Sequence, residues 1–399
     1  MKSDYPSLDG AECPFPFYEK ARAECPVSKI DGHNAHFVTR YDDVKYVLQH
    51  TELFSNIARG VGVQPAPAKR LKSGVEARGL NDSDPPESLE HRKLATRKLT
   101  PRGFQEYAPK IRAHVDALID GFIDDGKCEF IEQFAFLLPA LVITDVLGLP
   151  PNFLHDLRRW GQIETTAIVF FPENQKQRQF DTLQTLKDFS RQQLIDRYNN
   201  PSDDALGQLV RDQIARDGEF DVDYLIQHTA ILVSGGIITT GHHLGMTLRL
   251  LIEHPEQMQA VMNDRKLIPQ MLEESLRLQA PVQWIPRRVV KDTELNGVQL
   301  TAGGHILAGL GSAARDGKQF KDPDSFDIYR DNITDHMAFG FGVHRCIGAV
   351  LSRIEATVTF ERMFDRMKNI RLSADNDFTH IKSPQMRGLN KLNIEFERR

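Results

Sequence analysis

A mainly α-helical fold with a small β region is predicted by three features of the sequence. Apolar residues recur at helical spacing over long stretches, strand-like pieces are few and short, and the last third is rich in Gly, Pro and Asp. The 399 residues are 40% hydrophobic and 26% charged, a composition that suits a globular chain with a large core. No internal repeat or low-complexity linker divides them, so one domain over residues 1–399 is expected.

The elements follow from local pattern. In residues 107–124, Ile111, Val115, Leu118 and Phe122 are spaced by threes and fours, which predicts an amphipathic helix. Residues 224–253 are apolar on several sides, so the helix there is expected to be buried. A further helix covers 271–278 and stops near Pro281. Strands are expected at 36–39 and within 293–300, where Asn296-Gly297 is a hairpin turn signal. Residues 57–84, with Pro65 and Pro67 inside and Pro85 and Pro86 beside them, form a long loop or short helical insert.

Charge and cysteine content exclude several classes. Fifty Lys and Arg stand against 55 Asp and Glu, a net charge of −5, with no global signature of nucleic-acid binding. The start, Met1-Lys2-Ser3-Asp4-Tyr5-Pro6, lacks an apolar stretch behind a basic region, and no segment approaches ~20 apolar residues, so neither a secretory signal nor a membrane span is expected. Cys13, Cys25, Cys128 and Cys346 are far apart, which fits a reducing, cytoplasmic setting. A monomer is expected.

The sharpest feature runs from His336 to Ala349: His-Met-Ala-Phe-Gly-Phe-Gly-Val-His-Arg-Cys-Ile-Gly-Ala. After Cys346, the residues Val350, Leu351, Ile354 and Val358 are spaced as in a helix. Cys346 therefore lies at a helix N-terminus, where free N–H groups and the macrodipole favour a thiolate. Gly340, Gly342 and Gly348 let the backbone bend or approach a flat object closely. Such a thiolate suits axial coordination of haem iron. The rivals are a buried structural cysteine and a zinc site with His344, but no second His/Cys cluster completes four ligands.

Phe339-Gly340-x-Gly342-x-His344-x-Cys346-x-Gly348 resembles the cysteine-loop signature of cytochromes P450 in its bacterial form. The resemblance implies a cytochrome P450 fold, with haem b (iron protoporphyrin IX) buried between the long central helix and the helix after Cys346. Cys346 is then the iron ligand. Phe339, Gly340, Gly348, Ala349 and Leu232 are expected to surround the haem. Glu274-Ser275-Leu276-Arg277 resembles the family's Glu-x-x-Arg helix, and Asp322-Pro323-x-x-Phe326-Asp327-x-x-Arg330 the segment whose arginine joins it; the trio Glu274, Arg277 and Arg330 is expected to be structural. The two haem propionates need cationic partners. His344, Arg287 (with Arg288 as substitute) and Arg92 match family positions. Ser88 stands where the family usually has histidine, leaving His91 as a possible stand-in.

Leu232-Val-Ser-Gly235-Gly236-Ile-Ile238-Thr239 matches the oxygen-activation segment of the central helix. By resemblance, Gly235 and Gly236 open a groove over the iron and Thr239 hydrogen-bonds oxygen there. The residue before that threonine is usually an acid; here it is Ile238. Protons are then expected from ordered water, from His242 or His243, or from the substrate. Otherwise the chemistry is radical coupling or peroxide-driven oxidation rather than monooxygenation. A haem sensor or carrier is a further class, disfavoured by the Gly-Gly-x-x-Thr pattern. The substrate, a small and mostly apolar or aromatic molecule, is expected to meet Ile231, Ser234, Gly235, Val282, Gln283 and Ile285, with loops near Val63, 167–171 and 384–386. Arg92, Lys93, Arg97, Lys98 and Arg102 form a basic cluster expected on one helix, with Arg345 beside the ligand loop. That patch would steer an acidic donor. The family implies an iron–sulfur ferredoxin with its own reductase.

Overall fold

Helical spacing in the sequence becomes a layered helical body in the computed structural model, which describes residues 6–7 and 10–399. The helices are α1 (Phe15–Glu24), α2 (Tyr41–Gln49), α3 (Glu87–Thr96), α4 (Pro101–Gln105), α5 (Ala108–Asp120), α6 (Leu137–Leu147) and α7 (Leu154–Gly161). They continue as α8 (Glu173–Asn199), α9 (Ala205–Asp217), α10 (Val222–Glu253), α11 (Pro255–Asn263), α12 (Ile268–Leu278), α13 (Leu310–Ala313) and α14 (Ala349–Arg366). The expected helices at 107–124, 224–253 and 271–278 are thus present as α5, α10 and α12.

The apolar α10 lies at the centre and packs on α6, α7, α8, α12 and α14. Small residues allow this. A side chain at Gly236 would meet Ile143, one at Gly241 would meet Phe136, and one at Gly245 would meet Ile131, each at 2.4–2.5 Å. Removing those Cβ atoms lets the neighbouring segment lie close enough for dense packing.

The strands are β1 (Val27–Lys29), β2 (Ala35–Val38), β3 (Phe54–Ser55), β4 (Lys127–Glu129), β5 (Ile285–Val289), β6 (Thr293–Leu295), β7 (Val298–Leu300), β8 (His305–Ala308), β9 (Met367–Leu372) and β10 (Asn393–Arg398). A five-stranded sheet has the order β1-β2-β8-β5-β3, with β2 parallel to β8 and the other pairs antiparallel. The predicted hairpin is β6–β7, turned by Asn296 (φ 53°) and Gly297 (φ 80°). A separate sheet has the order β4-β10-β9.

Residues 57–84 carry neither helix nor strand, only an isolated bridge between Arg70 and Glu76. Aspartates tie this segment down: Asp82 accepts the Ala58 N–H at 2.8 Å, and Asp84 accepts the Asn56 N–H at 2.9 Å. The basic cluster expected on one helix is divided between α3 and α4. Pro101 lacks the N–H needed to continue α3, Thr100 before it is extended (ψ 160°), and its hydroxyl caps α4 by accepting the Gly103 N–H at 3.0 Å. No described helix is long and apolar enough to cross a membrane.

Candidate active site

The cysteine loop is shaped by its glycines. Gly340 (φ 70°) and Gly342 (φ 73°) take left-handed backbone conformations that side-chain-bearing residues rarely adopt. The turn returns on itself so that the Cys346 N–H donates to the Phe339 carbonyl at 2.8 Å. Gly348 caps α14, and the N–H groups of Gly348 and Ala349 donate to the Cys346 sulfur. Burial pushes the thiol pKa up, while those N–H groups, with Arg92 and Arg353, pull it down. Cys346 lies on the wall of a cavity of about 370 Å³, together with Phe339, Gly340 and Gly348. Among the described residues no group of three or more His, Cys, Asp or Glu side chains could hold a metal ion, so the zinc alternative gains no support.

Cations gather on the same cavity. Arg92, Arg287 and His344 line it as the sequence suggested, and so does Arg59, which no sequence pattern marked. Burial lowers the Arg287 pKa to about 9, with repulsion from Arg59 adding to it; burial lowers Arg59 to about 10. His344 is held at about 3 by burial and by Arg287, Arg59 and Arg92. Asp84 sits 3.9 Å from His344 Nε2, and Asp82 acts on Arg59. Arg287 Nε, His344 Nε2 and the Ser88 hydroxyl are buried without a hydrogen-bond partner. Unpaired buried donors and surplus positive charge are costly unless an anion meets them. The two propionates of haem are such an anion, so this wall fits the group. His91 does not stand in for the missing histidine, since its Nδ1 is 2.8 Å from the Tyr224 hydroxyl and it faces away. Arg288 is likewise diverted, donating to the Ile57 carbonyl at 3.1 Å.

Across the cavity stands α10, contributing Ile231, Leu232, Gly235, Gly236 and Thr239. The two glycines differ. A side chain at Gly235 would enter open space, whereas Gly236 makes room for Ile143. The expected local opening of the helix is not present: α10 runs unbroken, and the Thr239 hydroxyl donates to the Gly235 carbonyl at 3.1 Å. Ile238 is buried and turned toward α7, where a Cβ on Gly161 would lie 2.5 Å from it. The position usually held by an acid is thus filled by an apolar contact. His242 and His243 are held neutral, at about 3 and about 4, by burial. Glu355 of α14 lines the cavity with a buried, unpartnered carboxyl oxygen, and burial pushes its pKa well up.

A larger cavity of about 920 Å³ shares Arg59, Ile231, Gly235, Thr239 and Met386 with the first. Ser234, Val63, Ile168, Phe171 and Gln385 line it, as expected for the pocket loops, while Val282 and Ile285 line the cysteine cavity. Gln283 reaches neither. Its side chain is buried behind the wall, accepting from the Tyr18 hydroxyl at 3.0 Å and donating to the Ala280 carbonyl at 2.6 Å. Trp284 turns the same way and donates to the Pro384 carbonyl at 2.7 Å.

Glu274, Arg277 and Arg330 meet as expected, at 2.7 Å and 3.2 Å, and Arg277 also donates to the carbonyls of Ala314, Pro323 and Ser325. Beside them, Glu273 pairs with Arg353 at 2.6 Å and with His336 at 3.0 Å. In the basic cluster Lys93 pairs with Glu90, Arg97 with Asp212 and Lys98 with Asp203; Arg102 and Arg345 are exposed.

Comparison with known proteins bears on this arrangement. The family model described as Cytochrome P450 matches residues 154–391. The chain is 31% identical over 391 residues to Cytochrome P450 107B1 of Saccharopolyspora erythraea, covering 94% of this chain and 93% of that one. It is 31% identical to a Steroid C26-monooxygenase of Mycobacterium tuberculosis, covering 95% and 92%. Its fold is similar to the crystal structure of CYP109E1 from Bacillus megaterium in complex with testosterone, with a TM-score of 0.87, 28% identity, and coverage of 98% and 99%.

Proposed function

The chain belongs to the cytochrome P450 family, and from that membership we propose that it inserts oxygen into a small, mostly apolar or aromatic organic substrate, using electrons from an iron–sulfur ferredoxin. It is a haem b oxidoreductase of the monooxygenase class. Residues 1–399 are read as one catalytic domain.

The observation that carries the reading is the cavity with the Cys346 sulfur on its wall and three arginines and His344 beside it. Cys346 would hold the iron, its charge eased by the Gly348 and Ala349 N–H groups. Arg59, Arg92, Arg287 and His344 would hold the propionates, with Arg59 compensating for Ser88. Haem bound there supplies the redox-active iron for oxygen insertion. Around it, the chain manages protons and water. Thr239 presents a hydroxyl whose oxygen can accept from the cavity while its hydrogen rests on Gly235. Glu355, whose pKa burial pushes well up, is a carboxyl group on this cavity, whereas Ile238 offers none. Ile238 against Gly161 presents an apolar wall on the α7 side. Glu274, Arg277 and Arg330 fix the frame beneath the loop. Ile231, Ser234, Val282 and Ile285 would meet the substrate, and the exposed Arg102 and Arg345 would meet the acidic donor.

Cys346→Ala tests the reading. The reduced, carbon monoxide-bound wild type is expected to show the red-shifted Soret band of thiolate ligation, and the variant to lose it. An imidazole-type band in the wild type would overturn the assignment.

A further inference from the structure

The larger cavity contains a carboxyl group that neither the thiolate site nor the proton-handling groups use. Glu164 lies in the segment between α7 and α8, on the wall of the 920 Å³ cavity but not on that of the cysteine cavity. Its backbone N–H donates to Gln179 Oε1 at 2.8 Å, which fixes the segment against α8. Its Oε2 accepts from the Ser383 hydroxyl at 2.5 Å. That hydroxyl oxygen itself accepts the N–H groups of Gln385 and Met386, at 3.1 and 2.7 Å, so its hydrogen is directed at Glu164.

Three acidic side chains line this cavity. Asp82 pairs with Arg78 at 3.6 Å, and Glu132 with Arg158. Glu164 makes no ion pair among the described residues; Arg59, Lys187 and Lys382 line the same cavity without pairing with it. A carboxylate facing a ligand cavity without a counter-ion carries an unmet desolvation cost, and a ligand that brings positive charge relieves it.

We propose that Glu164 recognises a protonated amine on the substrate, borne at the end remote from the carbon that reacts. The proposal rests on the haem-thiolate reading and adds a substrate class to it: an apolar body carrying a basic nitrogen. The body lies along Ile231 and Gly235, which both cavities share, and the cation is held by Glu164 with Ser383 orienting the carboxylate. Burial raises the Glu164 pKa to about 7, toward the neutral acid, and a bound cation would lower it again and favour the ionised form.

Calorimetric titration of the haem-loaded protein tests this with two probes that cannot ligate iron through an amine: decyltrimethylammonium and the uncharged N,N-dimethyldecanamide. The wild type is expected to bind the cation about tenfold tighter or more than the amide, the scale of a charge-assisted contact. Glu164→Gln should remove that preference without weakening the amide, and Glu164→Asp should retain part of it. Equal affinity of the wild type for both probes overturns the proposal whatever the variants do, and so does a preference that survives Glu164→Gln. A wild type lacking the thiolate band with carbon monoxide would instead overturn the haem-thiolate reading, which separates the two failures.

Discussion

Two buried clusters of charge lie on either side of the cysteine loop, and they are built on opposite principles. Under the loop, Glu273 and Glu274 meet Arg353, His336, Arg277 and Arg330, and the remaining Arg277 donors end on three carbonyls. On the cavity, Arg59, Arg92, Arg287 and His344 make no close ion pair among the described residues, Asp84 standing 3.9 Å from His344, and Arg287 Nε and His344 Nε2 have no hydrogen-bond partner. Both clusters are buried and both contain arginine. The first is complete within the chain; the second is complete only with an anion from outside. Charge that the fold satisfies is architecture, and charge that it leaves unsatisfied marks a ligand.

The comparison can be broken from its satisfied side first. Glu274→Gln leaves Arg277, which is fully buried, with an uncompensated charge, and should destabilise the protein by about 3–5 kcal/mol in urea unfolding. A change below about 1 kcal/mol would mean that the carbonyls alone satisfy Arg277.

Acid should dissolve the neighbouring pair next. Arg353 and His336 hold the Glu273 pKa at about 2, against burial and below its ordinary 4.5. A depressed carboxylate stabilises the fold above its unfolded pKa and loses that contribution as pH falls through its folded one. The loss runs from about pH 4.5 down to about 2 and totals on the order of 3 kcal/mol. Glu273→Gln should flatten the pH dependence of unfolding in that window, and an unchanged slope would reject the assignment.

The unsatisfied side should respond the other way. Arg287→Leu removes a buried cation that has no ion pair and whose Nε is unpartnered, so protein stripped of haem should unfold no more easily, or should gain about 1–2 kcal/mol. The loaded protein should release haem to apomyoglobin roughly tenfold faster, from the loss of one charge-assisted contact. Lower stability of the stripped protein combined with normal haem retention would place Arg287 in the first kind of cluster.

The Glu274–Arg277 pair and the cysteine loop were legible in the sequence because their chemistry is local, whereas Glu273 with Arg353 and His336, 80 and 63 positions away, was not. Glu274 and Arg277 are one helical turn apart, and the loop's glycines sit at fixed offsets from Cys346. Arg330 was legible only through its family segment. Arg59 was not legible at all, since it lies in a stretch without helix or strand where no period relates it to the cavity. Gln283 misled for a related reason. Its neighbours Val282 and Ile285 do face the cysteine cavity, but Gln283 turns back to Tyr18, 265 positions earlier in the chain. The division of the basic cluster was written at Thr100-Pro101, a cap followed by a residue that cannot continue a helix. Glu164 and Ser383, 219 positions apart, could be joined only by the fold.

The parallel pairing of β2 with β8 has a consequence for how the chain reaches this state. Ala35 pairs with His305, so the central sheet cannot close until segments 270 positions apart have met. Loop-closure entropy grows only slowly with length, so the thermodynamic cost of such a long closure is modest, but contacts of this range form late and slowly. Until then β2 keeps an open edge, and β5, which carries Arg287 and pairs with β8, lacks its place in the sheet. The cation wall is therefore expected to assemble only with that long-range pairing, and Arg287 to gain its protection from hydrogen exchange together with β8.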